Sequence, residues 1–415
     1  MESKVFSNNK HSIVAFVGAL MVFLLIPPGV LGVPSHFPPA KFLLVCILIF
    51  NIDKLIRNNR NDHKFALVMT LLFAYMAYKN IETTNILGLL STFLLPVMFW
   101  TRRDIVLSIF KEFTNIYAYL ILIPCIIYIL VMLGLPMAHT QMQSSQDASS
   151  FIVYDVYGRV CSMSGTRFCG YFDEPGVVGT FSAVLLIANQ FKLKPIVLGA
   201  LLFSGIISFS FAFYAIIFLY VIFCSRSIKL ISGVLVIGGI LVYFFWDAFS
   251  LMILERIVFD EGTLVSNRTT LEFDSWYDSF VGTDAFYWGL GNHKSIEYDE
   301  MGASYKHLIV DYGLFFFVFF VASLAIYAKV LIRNIFLWIS YLIVLFGILY
   351  QRPFIELHSY LFVLYASILA IAQIDYNTRK ENENSSTVNL SQQKRKNTGL
   401  FGTLFPTKRK RTVTV

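Results

Sequence analysis

The sequence predicts an all-α polytopic membrane protein of about twelve transmembrane helices, and three observations carry that prediction. Hydrophobic side chains make up 57% of the 415 residues and charged ones only 14%, against roughly 25% charged in an ordinary globular domain. Apolar runs recur along the chain at lengths close to the ~20 residues a helix needs to cross a bilayer. The basic residues between those runs fall almost wholly on alternate connections.

The first run, from Ile13 to about Val33, follows Lys4 and Lys10 and so imitates a secretory signal. It is longer than a signal core and no A-x-A-like site follows it, so it reads as a retained helix bent at Pro27-Pro28. Further runs lie near 38–52, 64–79, 84–100, 114–135, 175–191, 229–247, 307–328, 334–350 and 356–374. The stretch Pro195–Cys224, about 30 residues, is too long for one ordinary span and short for two. Ser208-Phe209-Ser210 at its centre suits a hairpin tip, which at that depth must be buried among other helices.

Charge decides between the two readings of 195–224. With the stretch split and both termini cytoplasmic, the short inner connections carry fifteen Lys/Arg, from Lys4 and Lys10 to Lys329 and Arg333. The short outer ones then carry three: Lys41, Lys79 and Arg352. Unsplit, the stretch would send the Arg226–Lys229 side and the tail outward. The chain accordingly divides into a transmembrane domain, 1–374, and a tail, 375–415, with two large outer loops at about 136–174 and 248–306. Ten acids against four Lys/Arg make the second loop a solvated segment. The tail holds nine Lys/Arg against three acids, +6 of the net +7, and is rich in Asn, Ser, Gln and Thr. It reads as a disordered cytoplasmic tail drawn to the anionic inner leaflet rather than to nucleic acid. There is no internal repeat, and ionisable residues are nearly absent from the helices, which argues against a secondary transporter.

The segment Arg167-Phe168-Cys169-Gly170-Tyr171-Phe172-Asp173-Glu174-Pro175-Gly176 closes the first long loop and opens a helix. Proline suits a first helical turn, and Asp or Glu just before it caps the open amides. A terminus of this kind beside an arginine is also an anion site, and arginine matches pyrophosphate through its paired donors. In the second loop come Asn267-Arg268, Trp276, Trp288-Gly289-Leu290-Gly291, Ser304-Tyr305-Lys306 and Asp311-Tyr312-Gly313-Leu314.

In order, spacing and membrane side, residues 160 to 320 resemble the O-antigen polymerase and ligase superfamily of bacterial polysaccharide assembly. The ligase branch has a His-Asn where this chain has Gly302-Ala303-Ser304-Tyr305, with His307 a few residues late. The family's Ser-Arg after the next helix hairpin appears as Ser208-Phe209-Ser210 without the arginine. Both departures favour the polymerase branch.

The resemblance implies a GT-C-related architecture in the bacterial inner membrane, with the two loops periplasmic. It implies an enzyme that moves a growing glycan from undecaprenyl pyrophosphate onto a lipid-linked repeat unit, for O-antigen, capsule or exopolysaccharide. The alternatives are a ligase, or a flippase or other transporter of lipid-linked oligosaccharide. A chain-length regulator and a flippase of the same pathway would be partners. Arg167 and Arg268 are the residues expected to stabilise the departing pyrophosphate; the competing reading is two loop arginines paired with acids. Glu174 and His307 are the candidate bases, with a structural capping role as the alternative for Glu174. Tyr171, Trp276, Lys306 and His307 are the candidate substrate contacts. For Trp276 a stacking platform for a sugar ring competes with interfacial anchoring. The first outer connection, about Gly32 to Ala40, has no carboxylate, and Glu272-x-Asp274 is a solvated pair, so no metal and no other cofactor is expected. Cys161 and Cys169 enclose Arg167 and would form a bridge in an oxidising periplasm, or remain two thiols.

Overall fold

The computed structural model describes residues 12–26, 29–30, 33–34, 38–52, 60–81, 86–143, 150–154, 160–163, 167–172, 174–224, 257–260, 263–266, 271–291, 294–297, 305–351 and 354–404, with isolated positions between 232 and 246. Most of this is helix. The first half contains α1 (Ser12–Leu24), α2 (Pro38–Phe50), α3 (Arg60–Lys79), α4 (Ile86–Leu94), α5 (Val97–Trp100) and α6 (Arg103–Met132). Then come α7 (Pro175–Ala188), α8 (Pro195–Ile207) and α9 (Phe211–Cys224). After the second loop segment come α10 (Leu271–Phe280), α11 (Asp284–Trp288), α12 (Tyr305–Tyr312), α13 (Leu314–Leu331), α14 (Ile335–Gln351) and α15 (His358–Leu404).

Among the described residues three helices are long and apolar enough to cross a membrane: α6, α13 and the His358–Asn384 part of α15. Several others are apolar but shorter, including α1, α2, α7, α8, α9 and α14. A 14-residue helix is about 21 Å long, short of the roughly 30 Å hydrocarbon core. The expected count of about twelve full spans is thus not what these helix lengths display; the run 229–247 lies outside the described residues. Large apolar side chains stand out around the bundle, Phe42 at 72% and Phe50 at 86% exposure among them. Such a surface suits lipid better than water.

Local chemistry sets the helix ends. Pro175 and Pro195 each occupy a first helical turn. Gly134, in the left-handed region, ends α6: its N–H donates to Val131 O at 2.9 Å and that of Leu135 to Leu130 O at 3.0 Å. The expected split of 195–224 is present. Ser208 and Ser210 at the turn are buried, Phe209 is left-handed at φ 46°, and serine hydroxyls replace the missing helical bonds. Ser208 Oγ donates to Gly205 O at 2.7 Å and accepts from Ser210 N at 3.3 Å. α7, buried on nearly every side, packs against both arms of the hairpin. A Cβ on Gly179 would come within 2.5 Å of Ser210 Cβ, so glycine permits that approach.

Two expectations are corrected. The chain is not purely helical: the first long loop folds as a four-stranded antiparallel meander, β3 (His139–Gln143), β4 (Ser150–Tyr154), β5 (Val160–Met163) and β6 (Arg167–Gly170). Short hairpins β1 (Gly29–Val30) with β2 (Val33–Pro34) and β7 (Ile257–Asp260) with β8 (Thr263–Ser266) complete the strands described. The aromatic and β-branched run Phe151-Ile152-Val153-Tyr154 suits a strand. Nor is residues 375–404 disordered: α15 continues through them to Leu404. No Pro or Gly interrupts the chain from 375 to 398, an already formed helix removes the cost of nucleation, and Arg379 pairs with Asp375 one turn back at 3.5 Å.

The bundle has two chemically different ends. α3 starts at one with Asp62, which pairs with Arg103 of α6; Tyr327 of α13 bonds to both at 3.2 Å. The Tyr327 ring stacks on Phe65 with centroids 3.8 Å apart. α3 finishes at the other end with Tyr75 and Lys79, which bond to the backbone of the second long loop segment.

Candidate functional site: the loop end of the bundle

The loop end is assembled from motifs distant in sequence. Trp288-Gly289-Leu290-Gly291 docks backbone to backbone on Asp311-Tyr312-Gly313: Leu290 N donates to Val310 O at 2.8 Å and Gly291 N to Asp311 O at 2.9 Å. Gly289 and Gly313 both have positive φ, 76° and 91°. A Cβ on Gly289 would lie 2.5 Å from Asp311 O, and one on Gly313 2.3 Å from Tyr287 O. Here glycine is required twice over, for conformation and for approach. Tyr75 donates its hydroxyl to Trp288 O and Lys79 its ammonium to Gly289 O at 2.9 Å, which anchors this junction on α3.

Beneath the junction lies a buried polar cluster. Asp311 is 7% exposed; its carboxylate accepts from Ser295 N at 2.8 Å and from Ser295 Oγ at 3.1 Å. Glu356, in the turn between α14 and α15, sits within the electrostatic reach of Asp311. The residue is half-buried; burial first, and the Asp311 charge as well, push its carboxyl up to about 7. His358, the first residue of α15, is 2% exposed, and neither ring nitrogen has a hydrogen-bond partner among the described residues. Lys41 of α2 is the charged group felt by its ring. Tyr312, fully buried, faces Asp311, Glu356 and Asn80.

The Arg167 segment joins the same end. Arg167, half-buried at the start of β6, donates from Nη2 to Phe209 O at 3.5 Å, so one of its donors serves the left-handed tip of the α8–α9 hairpin. Gly170, at φ 63°, turns the chain toward α7. Phe172 meets Phe23 of α1 edge-on at 6.3 Å and stacks on Tyr117 of α6 at 6.2 Å. Two residues past Phe23, Leu25 O accepts from Ser359 Oγ at 2.8 Å, and Phe181 of α7 packs on Tyr360 at 5.1 Å. α1, α7 and the head of α15 thereby connect the Arg167 segment to the Glu356–His358 turn.

The remaining expected site residues have mixed fates. Arg268 lies outside the described residues. Glu174 occupies the N-cap position of α7 with the extended backbone usual there, φ −132° and ψ 135°; its side chain makes no capping bond, and its carbonyl accepts from Val177 N at 3.2 Å. Tyr171 is 7% exposed and belongs to the apolar core, so it offers no open ring to a substrate. Trp276 stacks on Phe280 at 5.0 Å and joins Phe273, Tyr277 and Val310 in a small separate core. That packing explains the ring without a sugar. Lys306 pairs with Asp274 at 2.8 Å and covers the Tyr277 ring at 4.8 Å, fastening α12 to α10. His307 contacts Phe273 in the same seam at 5.1 Å. Cys169 is fully buried, with its Sγ 3.7 Å from Arg167 O, and the side chain of Cys161, on which the expected bridge depends, lies outside the described residues. No group of three or more His, Cys, Asp or Glu with metal-binding geometry occurs among the described residues.

The residues that reading the sequence missed are Asp311 as a buried anion, Glu356 and His358. Asp311 was visible only as part of a glycine motif. Glu356-x-His358 has no pattern of its own, and its one legible signal was a carboxylate and an imidazole side by side at the head of an apolar run. Comparison with family models, with curated proteins and with solved structures found no match to this chain.

Proposed function

We propose that this chain is a metal-independent glycosyltransferase of the membrane, a repeat-unit polymerase that transfers a growing glycan from undecaprenyl pyrophosphate to a lipid-linked oligosaccharide on the periplasmic face of a bacterial inner membrane. The proposal includes twelve spans with both termini cytoplasmic. One observation carries it: the separate motifs that resemble the O-antigen polymerase and ligase superfamily meet at one end of the bundle. The Arg167 segment meets the Ser208–Ser210 tip there, and the Gly289 and Gly313 motifs dock on each other.

The chemistry fits that end. Breaking the glycosidic bond to pyrophosphate builds negative charge on the leaving oxygen, and a preorganised guanidinium stabilises it. Arg167 is anchored through Phe209 O on a turn that is itself bonded down, so its position is fixed before substrate arrives. In this reading Arg268 supplies the second cation. Trp276 and Lys306 shape the loop, and a flippase and a chain-length regulator work beside the enzyme.

The test is chain length in cells. Arg167→Ala and Arg268→Ala should insert normally yet leave single repeat units on the surface, a loss of at least about 100-fold in extension, or ~3 kcal/mol of barrier. Full-length chains in both variants would refute the proposal. Precursor trapped on the cytoplasmic side would mark a transporter instead.

A further inference from the structure

We propose that the Ala285–Gly291 segment of the second loop is seated in the bilayer, with Tyr287 and Trp288 at the boundary between headgroups and acyl chains in the leaflet at the loop end. The partner of this surface is lipid, and the placement holds whatever reaction the chain performs.

The segment differs from the loop around it. All ten acids of 248–306 and all four of its Lys/Arg lie outside 285–291, so an uncharged Ala-Phe-Tyr-Trp-Gly-Leu-Gly stretch interrupts an acidic loop. Its large side chains are not folded away. Trp288 is 57% exposed, and Tyr287 and Leu290 stand out with it. In α10, by contrast, Phe273, Tyr277 and Phe280 are buried in a small core. Nor is the exposed patch loosely held. Tyr75 donates to Trp288 O, Lys79 to Gly289 O at 2.9 Å, and the Gly289 and Gly313 backbones lie against each other. A fixed apolar patch of this kind is unfavourable against water and favourable against lipid.

Continuity with α13 identifies the partner. α13 is long and apolar enough to cross a membrane. Its exposed apolar residues Phe315, Val318, Phe319, Ile326 and Val330 recur at helical spacing and form one stripe. Phe316, Phe320, Leu324 and Tyr327, on the opposite side, are buried. On a membrane-crossing helix such a stripe faces acyl chains. Phe315 ends it at the loop side, and there the Trp288 ring meets Phe315 edge-on at 5.2 Å while the Tyr287 ring lies 5.5 Å from it. The lipid-facing surface thus runs from α13 onto the loop without a break. Tyr78, next to Lys79 in α3, adds a third exposed ring at this end.

Depth follows from length. The 18 residues of α13 make about 27 Å of helix, close to the roughly 30 Å of a hydrocarbon core. Lys329, Arg333 and Asn334, all exposed, mark one headgroup level at its far end. Phe315 then falls at the other level. Trp and Tyr favour that depth because each joins an apolar ring to a polar N–H or O–H.

The experiment uses full-length protein in phosphatidylcholine vesicles and reads tryptophan fluorescence. Trp288 is kept as the sole tryptophan, with Trp100, Trp246, Trp276 and Trp338 replaced by Phe. Lipid brominated on the acyl carbons nearest the headgroup should remove most of the Trp288 emission, lipid brominated at mid-chain less, and aqueous acrylamide least. Quenching by acrylamide but not by brominated lipid would mean a solvated loop and would overturn the proposal. Quenching by neither would mean a protein partner, a second copy of this chain included, and would overturn it as well. Stronger quenching from mid-chain would overturn the placement at the boundary. The wild-type protein supplies a check that needs no substitution. A phosphatidylcholine with a diazirine high on its acyl chain, once illuminated, should label residues 285–291, located by mass spectrometry. Label found in α13 but absent from 285–291 would overturn the proposal whether or not the single-tryptophan variant folds.

Discussion

The two ends of the bundle treat charge in opposite ways. At one, Asp62 meets Arg103, and the Tyr327 hydroxyl closes the triangle, so positive and negative cancel within a few ångströms. At the other, Glu356 lies within the electrostatic reach of a second carboxylate, Asp311, and His358 has two buried nitrogens without protein partners among the described residues. A compensated pair ties helices together. A like-charged pair in an enclosed site opposes folding and persists where chemistry makes use of it. Under the proposed function, the difference separates the end that holds the fold from the end where the transfer would take place.

The largest expected effect breaks the first half of that comparison. Arg103→Met would strand Asp62 in a partly buried site and should lower stability by about 3 kcal/mol, read as unfolding in detergent, while the extension rate per folded molecule stays at the wild-type level. An activity loss beyond the loss of folded protein would show that this end is not merely structural. Next comes the junction at the loop end. Gly313→Ala places a methyl 2.3 Å from Tyr287 O in a left-handed backbone, so it should cost about 2 kcal/mol and reduce extension as well. Stability and extension both unchanged would show that the docked glycines do not matter.

A smaller effect sharpens the comparison through pH. Glu356 keeps its proton up to about 7 in the fold, against 4.5 for the free group. Between those values the unfolded chain has released the proton and the folded chain has not, so stability falls as pH rises through that window and is level above it. Glu356→Gln should remove this slope in unfolding temperatures measured from pH 4 to 8; an unaltered slope would assign it to other groups. The smallest effect is at the rim. Lys306→Met breaks a partly exposed pair with Asp274 and should cost under about 1 kcal/mol, with extension largely preserved. A loss of extension near that of an Arg167 variant would instead make Lys306 a substrate contact.

Much of the fold was legible because its signals are local. Pro175 and Pro195 mark helix starts by their own geometry, and the serines of 208–210 mark a turn that needs hydroxyls. The charge count across 195–224 called for two helices, and two are present. The meander was missed because its strands are short and, Phe151-Ile152-Val153-Tyr154 apart, carry no apolar run to announce them. The tail was misread because polar composition was taken for disorder, although its first 24 residues contain no helix breaker. In the candidate site the glycine motifs were legible as motifs, but their docking on each other was not. Asp311 and Glu356 are 45 positions apart, and nothing in either neighbourhood predicts that one carboxylate feels the charge of the other. Lys306 likewise read as an available cation because Asp274 lies 32 residues away.

The most direct measurement is chain extension by purified protein in liposomes supplied with lipid-pyrophosphate-linked repeat units. Wild type should give a ladder of oligomers and release one lipid pyrophosphate per added unit, and Arg167→Ala, folded to the same yield, should leave the units single. A wild type that is folded and makes no ladder, or an Arg167→Ala ladder equal to that of wild type, would contradict the account.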